Sequence, residues 1–324
     1  MAESKIPVDL FNPGQVFACL GFMELAEVLL GDAEAGFDWS DPGQVWFLLK
    51  AQGNTTPVEA ALDYLASASA ERVTPAGYVD PPRKKVEADD EDEADEADEV
   101  DEDADMEGPT PAARNSETFP AKVANAPSLP VRLSAPGRPS IELGHWADGS
   151  SRNTFKLYSG NRSAEHIARA MLTGTRKKHK GKNAGELEYK GIVQLWQESK
   201  AALAAKPFDV LTPLGGSFNF DPRGAWTALD AGYSPDIQKH GVAASPLVNL
   251  LAAYGLEHTR PVESGVRQVR YCAWSGLLPV SLARVAFQGG IPSLPARSFR
   301  FELALSGKNK VVTFAQQENT HERP

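Results

Sequence analysis

Apolar residues recur at helical spacing near the start of the chain. The apolar face of the first predicted helix consists of Val16, Phe17, Leu20, Met23 and Val28. Asn12 precedes this face as a helix cap, Pro13 fits the first turn, and Gly31 is placed to end the helix. These positions predict a helix that begins at residue 13 and ends before residue 31.

A second helix is predicted over residues 57–66. Thr56 and Glu59 have the spacing of a capping box, and Pro57 fits the first helical turn. Short apolar runs without a helical period predict strands at residues 8–11 and 44–49. Residues 1–70 are therefore expected to form an N-terminal α/β portion of the fold.

Short elements alternate after residue 128. Helices are predicted after Ser163, around Ile192 and over residues 246–254. Residues 208–233 combine glycine, proline and aromatic residues and predict irregular structure or short strands. Strands are predicted at residues 129–133, 140–143, 154–158, 268–274, 298–305 and 310–315, the last two forming a hairpin. This mixture of short strands and helices predicts an α+β fold.

The periodic pattern stops between residues 71 and 128. Fifteen of the 43 acidic residues lie between Glu87 and Glu107, so the rest of the chain has 33 basic and 28 acidic side chains and is mildly basic. We interpret residues 71–128 as a long disordered acidic insertion or linker. It acts either as a solvated spacer or as a polyanion that competes with nucleic acid. Residues 129–316 would then form the main α+β portion, and residues 317–324 a flexible tail.

The cysteines and the N-terminus bear on the compartment. Cys19 and Cys272 both lie in apolar stretches, which is typical of buried thiols in a reducing compartment. The N-terminus lacks the pattern of a secretion signal, and no uncharged apolar run reaches about 18 residues, the length of a membrane span. We expect a cytoplasmic protein with no membrane partner.

Candidate catalytic residues are sparse. Glu188 and Lys190 have the spacing of the E-x-K part of a metal-dependent nuclease signature. The six histidines include no pair at metal-ligand spacing. We therefore expect no enzyme activity, no catalytic or metal-binding residue and no cofactor. The alternatives are a nuclease centred on Glu188 and Lys190 and a purely structural bridging subunit.

Basic and aromatic residues form two candidate nucleic-acid-binding groups. The first has five positive charges in a short stretch, preceded by two more, and suits phosphate contacts; its members are Arg176, Lys177, Lys178, Lys180, Lys182, Lys156 and Arg162. We call residues 176–182 the basic segment. The second group could stack on bases or reach a base edge, or else pack in the core; its members are Phe220, Arg223 and Trp226.

Several stretches, read together, resemble a family of CRISPR proteins, the small large-subunit-type proteins of type I-G (formerly I-U) interference complexes, known as Cascade. The stretches are residues 7–26, 155–163, 167–171, 218–226, 230–235, 244–256, 260–261, 271–274 and 278–279. They span most of the chain outside the acidic insertion. The acidic run and Tyr158-Ser159 depart from the family pattern.

The resemblance implies a non-catalytic subunit of an RNA-guided interference complex. Its partners would be CRISPR guide RNA, target DNA, the other subunits of the complex and a separate helicase-nuclease. The implied roles are nucleic-acid binding, recognition of the target-flanking motif and recruitment of the helicase-nuclease. In such complexes base pairing reads the target sequence, whereas protein contacts read a short flanking motif and hold the backbones.

Overall fold

A computed structural model gives the fold. It describes residues 1–74, 78, 129–147, 155–158, 163–176, 186–214, 216–225, 243–306 and 309–318. Helices and antiparallel sheets alternate along these residues, so the predicted α+β class is confirmed. The acidic run from Glu87 to Glu107 and residues 319–324 of the predicted tail lie outside the described residues, whereas Gln317 of that tail pairs with Phe299.

The helices of the described residues begin where the capping signals predicted. Asn12, Ser163 and Ser245 each accept a hydrogen bond from a backbone N–H of the first turn of the helix that they precede. In chain order the helices are α1 (Pro13–Leu30), α2 (Pro57–Ser67), α3 (Ala164–Thr173), α4 (Ile192–Glu198), α5 (Lys200–Ala205), α6 (Pro246–His258) and α7 (Val280–Phe287). The predicted capping box of α2 is wrong, because Thr56 makes no hydrogen bond to a backbone N–H and donates instead to the Glu59 carboxylate.

The strands are short, apart from one of eleven residues. They are β1 (Ala2–Val8), β2 (Glu34–Asp38), β3 (Val45–Ala51), β4 (Ser69–Arg72), β5 (Val131–Ser134), β6 (Ile141–Leu143), β7 (Thr175–Arg176), β8 (Leu187–Tyr189), β9 (Thr212–Pro213), β10 (Ala243–Ala244), β11 (Val262–Gly265), β12 (Gln268–Trp274), β13 (Leu278–Pro279), β14 (Ala296–Ser306), β15 (Asn309–Val312) and β16 (Gln316–Gln317).

Two larger sheets flank the helical core. The N-terminal sheet has the order β1-β3-β2-β13, and the C-terminal sheet has the order β11-β12-β14-β15, with β16 also paired to β14. A three-stranded sheet, β4-β5-β6, joins the parts of the chain that flank the acidic insertion. Ser69 pairs with Ser134, and Arg72 with Val131. The chain therefore leaves this sheet after Arg72 and returns to it at Val131. The N-terminal and main portions thus contribute strands to the same sheet.

Close contact between α1 and α6 forms the centre of the molecule. A Cβ atom on Gly21 would lie 2.1 Å from the Leu251 carbonyl oxygen, and one on Gly255 would lie 2.4 Å from the Phe17 carbonyl oxygen. Both distances are too short for any side chain, so glycine permits the two backbones to meet. Aromatic rings extend this core, with Tyr271 stacked on Phe299 at a centroid distance of 5.4 Å.

Two predicted strands are wrong. The first strand covers Ala2–Val8 and not residues 8–11, because Ser4, Ile6 and Val8 alternate as its buried positions. Within residues 154–158, the described residues 155–158 form no strand. The carbonyl oxygen of Leu157 accepts a hydrogen bond from the side chain of Asn219, and Phe155, Leu157 and Tyr158 are all buried. The Leu157 carbonyl oxygen is thus satisfied by a side chain and not by the backbone of a neighbouring strand.

Helix α1 is long and apolar enough to cross a membrane, but 78% of its 18 residues are buried inside the fold. Helix α1 is thus mostly enclosed by the rest of the fold. Both cysteines are free thiols with buried side chains, as the sequence predicted. Burial raises the pKa of Cys19 well above its usual value, so its thiol stays protonated.

Candidate nucleic-acid interface

The basic segment begins at a hairpin with a tightly packed base. Strands β7 and β8 pair antiparallel, with Thr175 opposite Tyr189 and Arg176 opposite Leu187. A Cβ atom on Gly191 would lie 2.3 Å from the Gly174 amide nitrogen, and one on Gly174 would lie 2.4 Å from the Tyr189 carbonyl oxygen. The backbone is therefore closely packed where the basic segment starts. The elements that meet there are the end of α3, strands β7 and β8, and the start of α4.

Only part of the predicted basic group can be placed. Arg176 is exposed at the end of β7. Four lysines of the basic segment, Lys177, Lys178, Lys180 and Lys182, lie outside the described residues, as does Arg162. In sequence these lysines occupy the connection between β7 and β8, and the basic segment starts at the last residue of β7.

Lys156 is half-buried. Its ammonium nitrogen lies 5.5 Å from the centroid of the Tyr158 ring, which is a cation–π contact. Burial lowers the pKa of Lys156. The lysine therefore has a local aromatic partner, and its role in nucleic-acid binding stays a prediction.

Phe220 is a core residue. It is 1% exposed, and its amide donates a 2.9 Å hydrogen bond to Asn249 Oδ1. A Cβ atom on Gly14 would lie 2.2 Å from the Phe220 carbonyl oxygen, so α1 packs directly on this residue. The packing interpretation of Phe220 is thus confirmed, and the predicted stacking contact is wrong because the ring is enclosed by the core.

Arg223 is committed to structural contacts. Its guanidinium donates to both oxygens of Asp221, from Nε at 2.8 Å and from a terminal nitrogen at 2.7 Å, and also to the Phe208 carbonyl oxygen at 2.8 Å. Asp221 is fully buried and also accepts hydrogen bonds from Asn12 and from the Ser245 amide. The predicted base contact of Arg223 is not supported by this geometry. Trp226 lies outside the described residues.

This Asp221 cluster is a feature that sequence reasoning missed. Asn12 and Ser245 cap α1 and α6, so one carboxylate ties the starts of both core helices to Arg223. A signal was present in the sequence, because Asp221 and Arg223 lie on either side of Pro222 and are followed by Gly224. That signal did not reveal the other partners, Ser245 at 24 residues and Asn12 at 209 residues from Asp221.

Glu188 and Lys190 do not act as a pair. Both residues are exposed, and Lys190 Nζ lies 2.7 Å from Glu198 Oε1 of α4. The structural interpretation of Glu188 and Lys190, an exposed helix turn, is wrong because Glu188 lies in strand β8. Among the residues that the structure describes, no group of three or more histidine, cysteine or acidic side chains could hold a metal ion.

Two open cavities of similar size lie beside the N-terminal sheet. One, of about 560 Å³, is lined by Glu27, Asp32, Glu34 and Arg284 among others. The second, of about 550 Å³, contains Trp46 with Lys5 Nζ 4.9 Å from its ring centroid. Three carboxylates and one arginine line the first cavity, whereas two lysines and two aspartates line the second.

Comparison with known proteins gives one partial match. No protein-family model matches the chain, and no solved structure matches it. The chain is 28% identical over 137 residues to a 2-succinyl-5-enolpyruvyl-6-hydroxy-3-cyclohexene-1-carboxylate synthase of Lactococcus lactis subsp. cremoris (strain SK11), covering 39% of this chain and 24% of that protein. The chain thus spans about a quarter of the length of the curated protein that it matches. A similarity of this extent does not assign a family.

Proposed function

We propose that this chain is a non-catalytic, cytoplasmic subunit of a type I-G CRISPR interference complex that binds guide RNA and target DNA. The main support for the proposal is that the basic segment lies, in sequence, between two paired strands. The base of this hairpin is closely packed at Gly174 and Gly191. The family resemblance of the N-terminal and C-terminal stretches supplies the biological setting.

Physical considerations favour phosphate as the ligand of the basic segment. Five positive charges within seven residues create a strong local potential. Lysine and arginine at flexible reach contact phosphates without sequence preference. A firmly anchored hairpin base lets such a segment extend from the fold without disturbing the core. Outside the acidic run and the basic segment, basic and acidic side chains are equal in number, so the net positive charge of the chain outside the acidic run is that of the basic segment itself.

In a binding role, the guide RNA and this chain would have different tasks within the complex. Guide RNA would read the target by base pairing, whereas this chain would hold backbones, help to recognise the flanking motif and recruit the separate helicase-nuclease. Lys190 forms a surface ion pair with Glu198 and not with Glu188, so the two residues of the nuclease alternative are not held together. Binding therefore fits the geometry better than cleavage.

Co-purification tests the proposal most broadly. The chain is expressed with the neighbouring subunits and a guide RNA, isolated through a tag, and its partners are identified by mass spectrometry and RNA sequencing. We expect guide RNA and the other subunits to be recovered together. Recovery of the chain alone, or of the protein subunits without RNA, would contradict the nucleic-acid-binding role, and the second result would support a structural bridge.

A cleavage assay separates the binding subunit from the nuclease alternative. The pure chain is incubated with labelled single-stranded and duplex nucleic acid in the presence of Mg²⁺ or Mn²⁺. We expect no cleavage by the wild type, and no difference between it and the Glu188→Gln variant. Metal-dependent scission that disappears in that variant would establish the alternative.

A further inference from the structure

The outer face of the C-terminal sheet is distinct from its core face. Tyr271 of β12 and Phe299 of β14 are directly opposite in register, and both are buried. Successive side chains of a strand point to opposite faces. The next pair along these strands, Arg270 opposite Arg300, therefore lies on the outer face.

This arginine pair is electrostatically unfavourable by itself. Like charges directly opposite each other on neighbouring strands destabilise a sheet. In the part of the chain that the structure describes, neither guanidinium forms an ion pair with a carboxylate. Glu302, the acidic residue of β14 on the same face, lies 3.8 Å from Arg267. The two arginines thus place adjacent positive charges on the outer face of the sheet, with Glu302 as their acidic neighbour.

An aromatic ring and two amides lie beside this positive site. A cavity of about 260 Å³ is lined by Arg300 together with Gln268, Phe301, Glu302, Thr313, Phe314 and Gln316. Phe314 is 51% exposed, whereas Phe299 and Phe301 of the same sheet are buried. Gln316 is directly opposite Arg300 in the register of β14 and β16. Charge, an exposed ring and amide groups therefore converge on one small area.

We infer that this outer face binds single-stranded nucleic acid, with Arg270 and Arg300 contacting phosphates and Phe314 stacking on a base. Such a combination of backbone charge and an aromatic platform is what proteins use for single strands. An acidic peptide would match the arginines but would leave the exposed ring without a partner. The inference rests on the proposed function and adds a second contact surface, separate from the basic segment.

The test compares two double variants of the full chain that remove the same charge. Arg270→Gln/Arg300→Gln changes the outer face, and Arg132→Gln/Arg138→Gln changes two exposed arginines elsewhere. Affinity for a fluorescent oligothymidylate and for its RNA counterpart is measured by anisotropy over a range of salt. Loss of two phosphate contacts should lower the slope of log affinity against log salt by about 1.4 for the first variant, with little change for the control.

The stacking contact is tested separately. Phe314→Leu should weaken binding of single strands by at least about fivefold, and Leu211→Ala, a change at another exposed apolar residue, should not. Duplex DNA should bind equally to the wild type and to the Phe314→Leu variant, because its bases are already stacked. Arg270→Lys/Arg300→Lys should retain the salt slope, which shows that a positive charge at these positions is sufficient.

The outcomes distinguish failure of this inference from failure of the proposed function. If the wild type binds no nucleic acid, both are contradicted. If binding depends on the basic segment but is unaffected by both outer-face variants, the outer-face site alone is overturned. Polyglutamate that competes fully with oligothymidylate at the outer face, with no effect of Phe314→Leu, would indicate an acidic protein partner instead. Thermal unfolding equal to that of the wild type confirms that the variants are folded.

Discussion

Arg284 donates hydrogen bonds of 2.7 and 2.6 Å to the two carboxylate oxygens of Glu24. Glu24 lies within α1 and is 2% exposed, whereas Arg284 belongs to α7 and keeps 40% of its side chain exposed. The hydrogen bond to Glu24 is the main reason that the pKa of Arg284 is raised. A buried charge therefore joins the central helix to the last helix of the described fold.

Removal of Arg284 alone should be more harmful than removal of the pair. Arg284→Ala leaves the Glu24 carboxylate buried without its partner, and we expect a loss of on the order of 2 kcal/mol in the free energy of unfolding, since solvent reaches the arginine in part. Glu24→Gln/Arg284→Met should lose less. Urea unfolding of both variants checks this, and an equal loss in the two would contradict the account.

The contact between α1 and α6 should depend on Gly21. Any side chain at this position would collide with the Leu251 carbonyl oxygen. We expect Gly21→Ala to destabilise the protein by about 2 kcal/mol or more, because backbone must move to relieve the overlap. Gly265→Ala is the control, since its Cβ atom would meet no atom closer than 3.7 Å. Similar melting temperatures for the two variants would show that the helices do not pack this closely.

The Asp221 cluster should be a structural unit. Asp221→Asn keeps the size of the side chain but removes the charge that holds Arg223, and we expect a loss of about 2 kcal/mol in the free energy of unfolding. The control is Glu302→Gln, which removes an exposed ion pair of 3.8 Å and should change stability by less than about 0.5 kcal/mol. A stable Asp221→Asn protein would remove the structural role assigned to Arg223.

Protonation of His258 should weaken the fold in mild acid. Burial lowers the pKa of His258, and this outweighs the attraction of Glu24, whose carboxylate lies 3.9 Å away. The unfolded chain therefore takes up a proton at a higher pH than the folded chain. The contribution of His258 to the free energy of unfolding is fully present above its pKa in the unfolded chain, about 6.5. This contribution is lost as the pH falls toward the pKa of His258 in the folded chain.

Substitution of His258 isolates this pH dependence. The difference in unfolding free energy between about pH 7.5 and about pH 5.5 should be smaller for His258→Gln than for the wild type. His166→Gln, a change at an exposed histidine, should leave the difference unaltered. An identical pH dependence in the wild type and both variants would contradict the assigned burial effect.

The helix boundaries were predictable because their determinants are local. Asn12, Ser163 and Ser245 cap helices within three residues of their own position. Strand β1 was placed wrongly because Pro7 argues against a strand, yet β1 is an edge strand, where proline is tolerated. Strand β2 was missed because Gly36 weakens the strand pattern. Glycine is required there because a Cβ atom on residue 36 would lie 1.9 Å from the Gly276 carbonyl oxygen.

The candidate sites show the same division between local and distant signals. The basic segment is a local charge cluster and was found from the sequence. Arg270 and Arg300 were not found, because they meet only through the register of two strands thirty residues apart. The burial of Phe220 depends on α1 and on Asn249, so its aromatic character could not separate a core ring from a stacking ring.

The salt dependence of nucleic-acid binding by the full chain tests the central claim most directly. The variant with alanine at all five basic positions of the basic segment is compared with the wild type and with a control that loses the same charge at Lys50, Arg132, Arg138, Lys200 and Lys206. We predict that the slope of log affinity against log salt falls by up to about 3.5 for single strands in the first variant and much less in the control. An unchanged slope in the first variant, or an equal fall in both, would contradict phosphate binding by the basic segment.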